Sequence, residues 1–181
     1  LKGGDPYMFG RGGEEVLALI KHHIDYEVVP GITSASGCSA YGGIPLTHRG
    51  LSRRVQFITG HFNNDEPLEL NWQSIADPES TLVIYMGLAN LPLITRSLID
   101  AGLPASTPAA AVQDGTTLRQ RRVISTLEQL DAAVQQRGMQ APVMLIIGKV
   151  VALADELDWY QRVLDENNDK EYWHEKNAVL R

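Results

Sequence analysis

The sequence predicts an α/β protein, on two observations. Apolar runs of strand length alternate with helical patterns from residue 53 to residue 147. The run VMLII at 143–147 has the continuous apolar character of a strand that is covered on both faces.

A glycine follows each of several predicted strands, and ligands in open α/β sheets gather beyond the carboxyl ends of strands. We therefore expect four loops to surround one ligand: Gly3-Gly4, Pro30-Gly31, Met86-Gly87 and Asp114-Gly115.

Composition excludes several classes of function. The chain has 181 residues and a formal net charge of -6, which argues against a broad surface for nucleic acid or for an anionic membrane. No signal peptide and no apolar run of about 18 residues is visible, so we expect a cytoplasmic protein. Cys38 is expected to be a small buried apolar residue. Neither it nor the His22-His23 pair has the spacing of a metal site, so we predict no metal.

The chain divides into three predicted parts. Residues 1–46 are expected to be the C-terminal remnant of a first α/β domain, and residues 47–155 a second α/β domain. Residues 156–181 form a polar tail that is helical or loosely ordered. Because Leu1 stands at what resembles the end of a strand, we expect further sequence to precede it.

In the first part, the pattern predicts two helices and one strand. Residues 14–23 have the apolar spacing of an amphipathic helix, and residues 26–29 are predicted to form a strand. A helix of small residues is then expected up to about Tyr41, with the hydroxyl of Thr33 or Ser34 as its cap.

In the second part, strands alternate with helices. A capping box of Thr126 and Gln129 is expected to begin the last helix. The arginines of residues 119–122 are expected to lie on a solvated edge. Strands are predicted over residues 55–59, 81–85, 109–113, 122–125 and 142–147, and helices over residues 72–76, 91–101 and 127–137.

The opening segment LKGGDPYMFGRGGEE at 1–15 is the first candidate for a ligand site. Its glycines allow the main chain to contact a bound ligand. Glu14 and Glu15 stand at the start of the following helix, where they would repel a phosphate. The dinucleotide fingerprint also fails, because Glu15 stands where the third glycine belongs. The ligand is therefore predicted to be neutral or cationic.

Charged side chains near this segment suggest a second ligand. Arg11 and Arg49 could hold a polycarboxylate substrate, since arginine binds carboxylates in a bidentate manner. The alternative is a solvated surface pair of Arg11 with Glu14 and, for Arg49, a charge in a linker. His48 and His61 are candidate bases near neutral pH, with a hydrogen-bonded structural histidine as the alternative for each.

In their order, these segments resemble the tetrapyrrole methylase family, and within it the uroporphyrinogen-III C-methyltransferases, which also form the C-terminal part of siroheme synthases. The resemblance extends from about Leu1 to Trp159 and rests on seven segments: LKGGDPYMFGRGGEE, YEVVPGITSASG, GIPLTHRG, VQFITGH, TLVIYMGLANL, QDGTT with QRRVISTL, and PVMLIIGKVV. It implies the tetrapyrrole methylase fold, with two α/β domains, the cofactor in the cleft between them, and the first domain only partly present.

The resemblance also implies an activity. It points to S-adenosylmethionine-dependent methylation of uroporphyrinogen III at C2 and C7, through precorrin-1 to precorrin-2, with S-adenosylhomocysteine as the second product. The enzyme would be a homodimer that acts in siroheme and cobalamin biosynthesis. Two alternatives stay open. One is a methyltransferase for a later corrin precursor, and the other is a non-catalytic scaffold that binds cofactor or dimerises.

Site residues follow from the resemblance position by position. The tetrapyrrole is expected against Arg11, Glu14, Arg49 and Tyr85, with Arg11 and Glu14 as the catalytic pair and Glu14 helping to remove a pyrrole proton. The cofactor is expected to meet Gly3, Gly4, Asp5, Met8, Thr33, Ser34, Met86 and Gly115.

Overall fold

The computed structural model describes residues 3–61, 70–160 and 163. The strands are β1 (Arg54–Thr59), β2 (Ser80–Tyr85), β3 (Pro108–Gln113), β4 (Arg121–Thr126) and β5 (Val143–Ile147). The α-helices are α1 (Gly12–Lys21), α2 (Ser34–Tyr41), α3 (Trp72–Ile75), α4 (Leu91–Asp100) and α5 (Leu130–Gln136). The predicted tail lies outside the described residues from 161 onward, except for Val163.

The five strands form one mixed sheet in the order β1-β2-β5-β3-β4. β1 and β2 are parallel, and β5 is antiparallel to both β2 and β3. β3 and β4 are also antiparallel. The predicted α/β class with some parallel pairing is therefore confirmed. Because β5 runs against its neighbours, its first residues lie at the same edge of the sheet as the carboxyl ends of β2 and β3.

Side chains of the central strands separate into two apolar cores, one on each face of the sheet. Along β2, Leu82 and Ile84 belong to the core under α4 and α5, whereas Val83 and Tyr85 belong to the core that contains Ala35 of α2. This alternation is the two-residue period of a strand. All residues of β2 and β5 are buried, as expected for strands covered on both faces.

Two predicted elements differ from the structure. Residues 26–29 are not a strand, because no other described segment pairs with them and a strand needs hydrogen-bonded neighbours. The last helix begins at Leu130 rather than Leu127, because the backbone N–H of Leu127 donates to the carbonyl of Thr107 and so continues sheet-like pairing beyond β4. The predicted capping box of Thr126 and Gln129 is also wrong. Oγ1 of Thr126 is buried without a hydrogen-bond partner among the described residues.

In the part of the chain that the structure describes, no helix is both long and apolar enough to span a membrane. The division of the chain at residues 46 and 155 stays a prediction.

Candidate functional site

A cleft of about 660 Å³ lies where the carboxyl ends of β2 and β3 meet the first residues of β5. We call it the first cleft. Its walls are α2, the glycine loop at Gly4 and the loop over residues 114–117, with Val112 and Met144 between them. This is the edge at which an open α/β sheet binds ligands.

The lining of the first cleft is largely apolar and holds no basic side chain among the described residues. Asp114 is the one charged residue there. Such a cleft does not suit a phosphate, which needs cationic or convergent N–H partners. It does suit a neutral or cationic ligand, in agreement with the prediction from the opening segment.

The two glycine turns beside the first cleft pack directly against each other. A Cβ on Gly31 would lie 2.1 Å from the carbonyl oxygen of Gly4, so a side chain cannot be accommodated there. The Asp5 carboxylate accepts hydrogen bonds from the backbone N–H groups of Gly31, at 3.1 Å, and Tyr7, at 2.9 Å. These bonds lower the pKa of Asp5. Asp5 thus joins the two turns.

The loop after β3 packs closely against α2 at Gly115. A Cβ on Gly115 would lie 2.4 Å from Sγ of Cys38, so only glycine fits without a shift of the neighbouring atoms. Burial raises the pKa of the Cys38 thiol to about 11. Cys38 is therefore a neutral apolar group at the floor of the cleft, as the sequence predicts.

Tyr85 ties the end of β2 to the turn that begins α2. Its hydroxyl lies 2.6 Å from Oγ1 of Thr33 and accepts a hydrogen bond from the N–H of Ala35 at 3.3 Å. Its ring packs on Phe9 with centroids 4.5 Å apart. Thr33 does stand at the N-cap position, but its hydroxyl makes no capping bond to the helix because it contacts Tyr85.

A second cleft, of about 850 Å³, lies beside the first. It is lined by Arg11 and Glu14 from the start of α1 and by His61 after β1. Nε of Arg11 donates to both carboxylate oxygens of Glu14 at 3.0 Å, and the hydrogen bonding raises the pKa of Arg11. Both side chains are well exposed, so solvent competes with this ion pair. Unlike the first cleft, the second can recognise anionic groups.

Met86 lines both clefts and is half-exposed. It follows β2 directly and has a φ of 54°, a left-handed conformation that is uncommon for a residue with a side chain. Other lining residues share this conformation, and backbone strain of this kind concentrates at functional sites. In the second cleft they are Phe9 and Arg11, and in the first Asp114 and Thr116.

The predicted site residues fall into separate groups. Tyr85 lines the first cleft rather than the second. Arg49 lies with Thr47, His48, Ser52 and Arg53 in a separate depression. Five predicted cofactor contacts line the first cleft: Gly4, Thr33, Ser34, Met86 and Gly115.

The remaining cofactor predictions, Gly3, Asp5 and Met8, do not line either cleft. Met8 packs against the apolar core that includes Tyr85. Which of these residues touch a ligand stays a prediction. Within the described residues, no three His, Cys, Asp or Glu side chains form a group that could hold a metal ion.

Arg122 is misjudged by the sequence pattern, which places it on a solvated edge. Its side chain is only 12% exposed and pairs with Asp158 at 2.6 Å. It also donates to the carbonyl oxygens of Gly42 and Ala154. The signal in the sequence is slight, since Asp155 and Asp158 follow Arg122 by 33 and 36 residues.

Comparison with known proteins identifies the family of this chain. The family model for tetrapyrrole (corrin/porphyrin) methylases matches residues 1–131. The chain belongs to the tetrapyrrole methylase family.

One curated relative is a siroheme synthase of Azotobacter vinelandii, which is 52% identical over 161 residues, or 89% of this chain and 34% of the relative. The chain thus spans about a third of that relative's length.

Two solved structures are also similar to this chain. Uroporphyrin-III C-methyltransferase from Thermus thermophilus, in complex with S-adenosylhomocysteine, is 37% identical with a TM-score of 0.71, over 84% of this chain and 66% of that one. A cobalt precorrin-4 methyltransferase is 25% identical with a TM-score of 0.74, over 82% of this chain and 62% of that one.

Proposed function

We propose that this chain carries the S-adenosylmethionine-dependent methyltransferase activity that converts uroporphyrinogen III to precorrin-2 through precorrin-1, by methylation at C2 and C7. The observation that carries the proposal is the junction of two clefts of different character at Met86. A cofactor in the apolar cleft and a polyanionic substrate in the charged cleft would meet at this residue.

The residues of the first cleft fit the cofactor. S-adenosylmethionine has a sulfonium and no phosphate, and the lining offers one carboxylate, Asp114, and no cation. Gly4 and Gly115 bring backbone close to the cleft, and Thr33 and Ser34 stand at the start of α2. When bound, the cofactor supplies an electrophilic methyl group.

Arg11 and Glu14 have different roles in the second cleft: Arg11 binds substrate, and Glu14 accepts a proton. Uroporphyrinogen III has eight carboxylates, and the Arg11 guanidinium binds one of them in a bidentate manner. Exchange of Glu14 for a substrate carboxylate costs little, because the ion pair is exposed. Glu14, displaced from Arg11, then accepts a pyrrole proton. Arg49, in its own depression, holds a more distant carboxylate.

Positioning supplies most of the rate enhancement. Methyl transfer is an in-line displacement that consumes charge, so the enzyme gains by holding both reactants in line and excluding water. Well-oriented reactants gain on the order of 7 to 11 kcal/mol in this way. Tyr85 and Met86 form the wall at which the two reactants would be aligned.

We further propose that the protein acts as a cytoplasmic homodimer. The support is exposed apolar surface near α1, where Leu17 is 67% and Ile24 is 52% exposed. Exposed large apolar side chains in one segment indicate a candidate interaction surface. The N-terminal part of the chain contributes these exposed apolar side chains.

A later corrin precursor is the alternative substrate. The similarity to cobalt precorrin-4 methyltransferase favours it, although the identity is lower than to uroporphyrin-III C-methyltransferase. The two alternatives differ in the substrate that binds in the second cleft. In both, the first cleft binds the same cofactor.

Product mass tests the proposal directly. The protein is incubated with S-adenosylmethionine and uroporphyrinogen III under reducing conditions, and the products are analysed by mass spectrometry. We expect products that carry one and then two added methyl groups. Unchanged uroporphyrinogen III, together with methylation of a later corrin precursor, would replace the proposal with the alternative.

A further inference from the structure

The C-terminal end of α2 is held by three side chains from distant parts of the chain. Such ends leave backbone carbonyls without helical partners. Nε1 of Trp159 donates to the carbonyl of Ala40, and Nε2 of Gln120 donates to that of Tyr41, both at 2.8 Å. Nη1 of Arg122 donates to the carbonyl of Gly42 at 2.7 Å. Three successive carbonyls thus each have a side-chain donor.

Gln120 differs from the other two donors because its amide has a second partner in the wall of the first cleft. Its Oε1 accepts a hydrogen bond from the N–H of Thr116 at 2.8 Å. Thr116 lines the first cleft and has a φ of 70°, so its backbone needs support from its surroundings. Gln120 itself is 8% exposed and does not line this cleft.

One buried amide therefore joins two walls of the first cleft, the 114–117 loop and α2. These walls also touch directly, since a Cβ on Gly37 of α2 would lie 3.0 Å from the Thr116 methyl group. Gly115 of the loop also lies against Cys38 of α2, so the Gln120 amide is the polar link among packing contacts that set the separation of the walls. Glutamine suits this role because its amide both donates and accepts.

We propose that Gln120 is a positioning residue that sets the separation of α2 from the 114–117 loop and thereby the affinity of the first cleft for its adenosyl ligand. The inference rests on the proposed function, which assigns that ligand. Gln120 acts through Thr116 and Tyr41 and does not contact the ligand.

Calorimetric titration with S-adenosylhomocysteine tests the role of Gln120. Gln120→Met keeps the length of the side chain and removes both hydrogen bonds. Gln120→Glu keeps an acceptor for Thr116 and loses the donor to Tyr41. The matched control is Trp159→Phe, which removes one α2 contact but keeps an aromatic ring against Tyr41, where the two ring centroids lie 5.0 Å apart. Each variant is measured at a temperature at which circular dichroism shows that it is folded.

We expect Kd to rise roughly tenfold for Gln120→Met, by the loss of two hydrogen bonds that hold the wall, and to change less than about twofold for Trp159→Phe. Gln120→Glu keeps the acceptor for Thr116 but sets a carboxylate oxygen against the carbonyl of Tyr41, so its Kd should rise at least as far as that of Gln120→Met. It is the deciding variant if Gln120→Met does not fold. In turnover, KM for the cofactor should rise while KM for the tetrapyrrole does not.

A purely structural role predicts a different pattern. Both Gln120 variants and Trp159→Phe would then lower the melting temperature, while Kd would stay at the value of the unsubstituted chain. That result would overturn the inference and leave the proposed function intact. Failure of the unsubstituted chain to bind S-adenosylhomocysteine would instead overturn the proposed function, and the inference with it.

Discussion

The hydroxyl of Tyr85 lies 2.6 Å from Oγ1 of Thr33, and this contact fixes the start of α2 to the carboxyl end of β2. The Tyr85 side chain is 7% exposed, so water does not replace the contact easily. The same hydroxyl accepts from the N–H of Ala35. One oxygen atom thus holds the turn that begins α2 at the wall of the first cleft.

Removal of that oxygen should lower both the stability of the fold and the affinity of the first cleft for its proposed ligand. Tyr85→Phe keeps the ring on Phe9 but leaves the Thr33 hydroxyl and the Ala35 N–H without their partner. We expect a loss of about 1 kcal/mol in the free energy of unfolding and a higher Kd for S-adenosylhomocysteine. Chemical denaturation and calorimetry measure the two quantities. Tyr26→Phe is the control, since Tyr26 is 49% exposed, and an equal loss there would contradict the assignment.

The contact between Gly115 and Cys38 can be tested by a double substitution. Gly115→Ala places a methyl group 2.4 Å from Sγ of Cys38 and should destabilise the protein by about 1 to 3 kcal/mol through overpacking. With Cys38→Ala added, the nearest remaining atoms of residue 38 lie 3.5 Å away, an ordinary contact. The second substitution should therefore restore much of the loss. Simple addition of the two destabilisations would show that the methyl group and the sulfur do not compete for the same space.

Cys38 should react slowly with iodoacetamide in the folded protein. The thiolate is the reactive form, and burial raises the pKa of this thiol from 9.0 to about 11. The reaction rate should keep rising with pH up to about 11 in the folded protein, but level off above about 9 in urea. Cys38→Ala gives the background rate.

The same pKa shift predicts a dependence of stability on pH. The folded state keeps the Cys38 proton at pH values where the unfolded state releases it, so the contribution of this group is fully present below pH 9.0 and declines toward pH 11. The difference in unfolding free energy between the unsubstituted chain and Cys38→Ala should shrink across this window. A difference independent of pH would contradict the burial of the thiol.

Arg11→Ala should impair the use of substrate more than the binding of cofactor. Arg11 lines the second cleft and not the first. We expect kcat/KM for the tetrapyrrole to fall by at least roughly tenfold, because a charge-assisted bidentate contact is lost, while Kd for S-adenosylhomocysteine changes little. Arg96→Ala, at an exposed position of α4, is the matched control. Equal losses in both measurements would identify Arg11 as structural.

Local patterns in the sequence predict the sheet well and its surroundings less well. The five strands of the second part follow from runs such as VMLII and lie within one residue of the predicted bounds at every end. The predicted strand at residues 26–29 fails because strand formation depends on a neighbour, which a local pattern does not reveal. The capping box fails for the same reason, since Leu127 pairs with Thr107, which is distant in sequence.

The candidate site is partly predictable because glycines mark where loops approach closely. Gly4 and Gly115 could be identified from their positions after predicted strands. Gln120 and Arg122 could not, because their partners at residues 41 and 42 are about 80 residues away in the chain. Long-range side-chain bonds to backbone leave no periodic pattern in the sequence.

The central claim, that the first cleft binds the adenosyl cofactor, is tested most directly by NMR of methionine methyl groups. The chain has four methionines. Met86 and Met144 line the first cleft, whereas Met139 lies in the core on the opposite face of the sheet. On titration with S-adenosylhomocysteine, we predict that the Met86 and Met144 signals shift in a saturable manner and that the Met139 signal stays in place. A saturable shift of Met139 without Met86 and Met144, or no shift of any signal at saturating ligand, would contradict the claim.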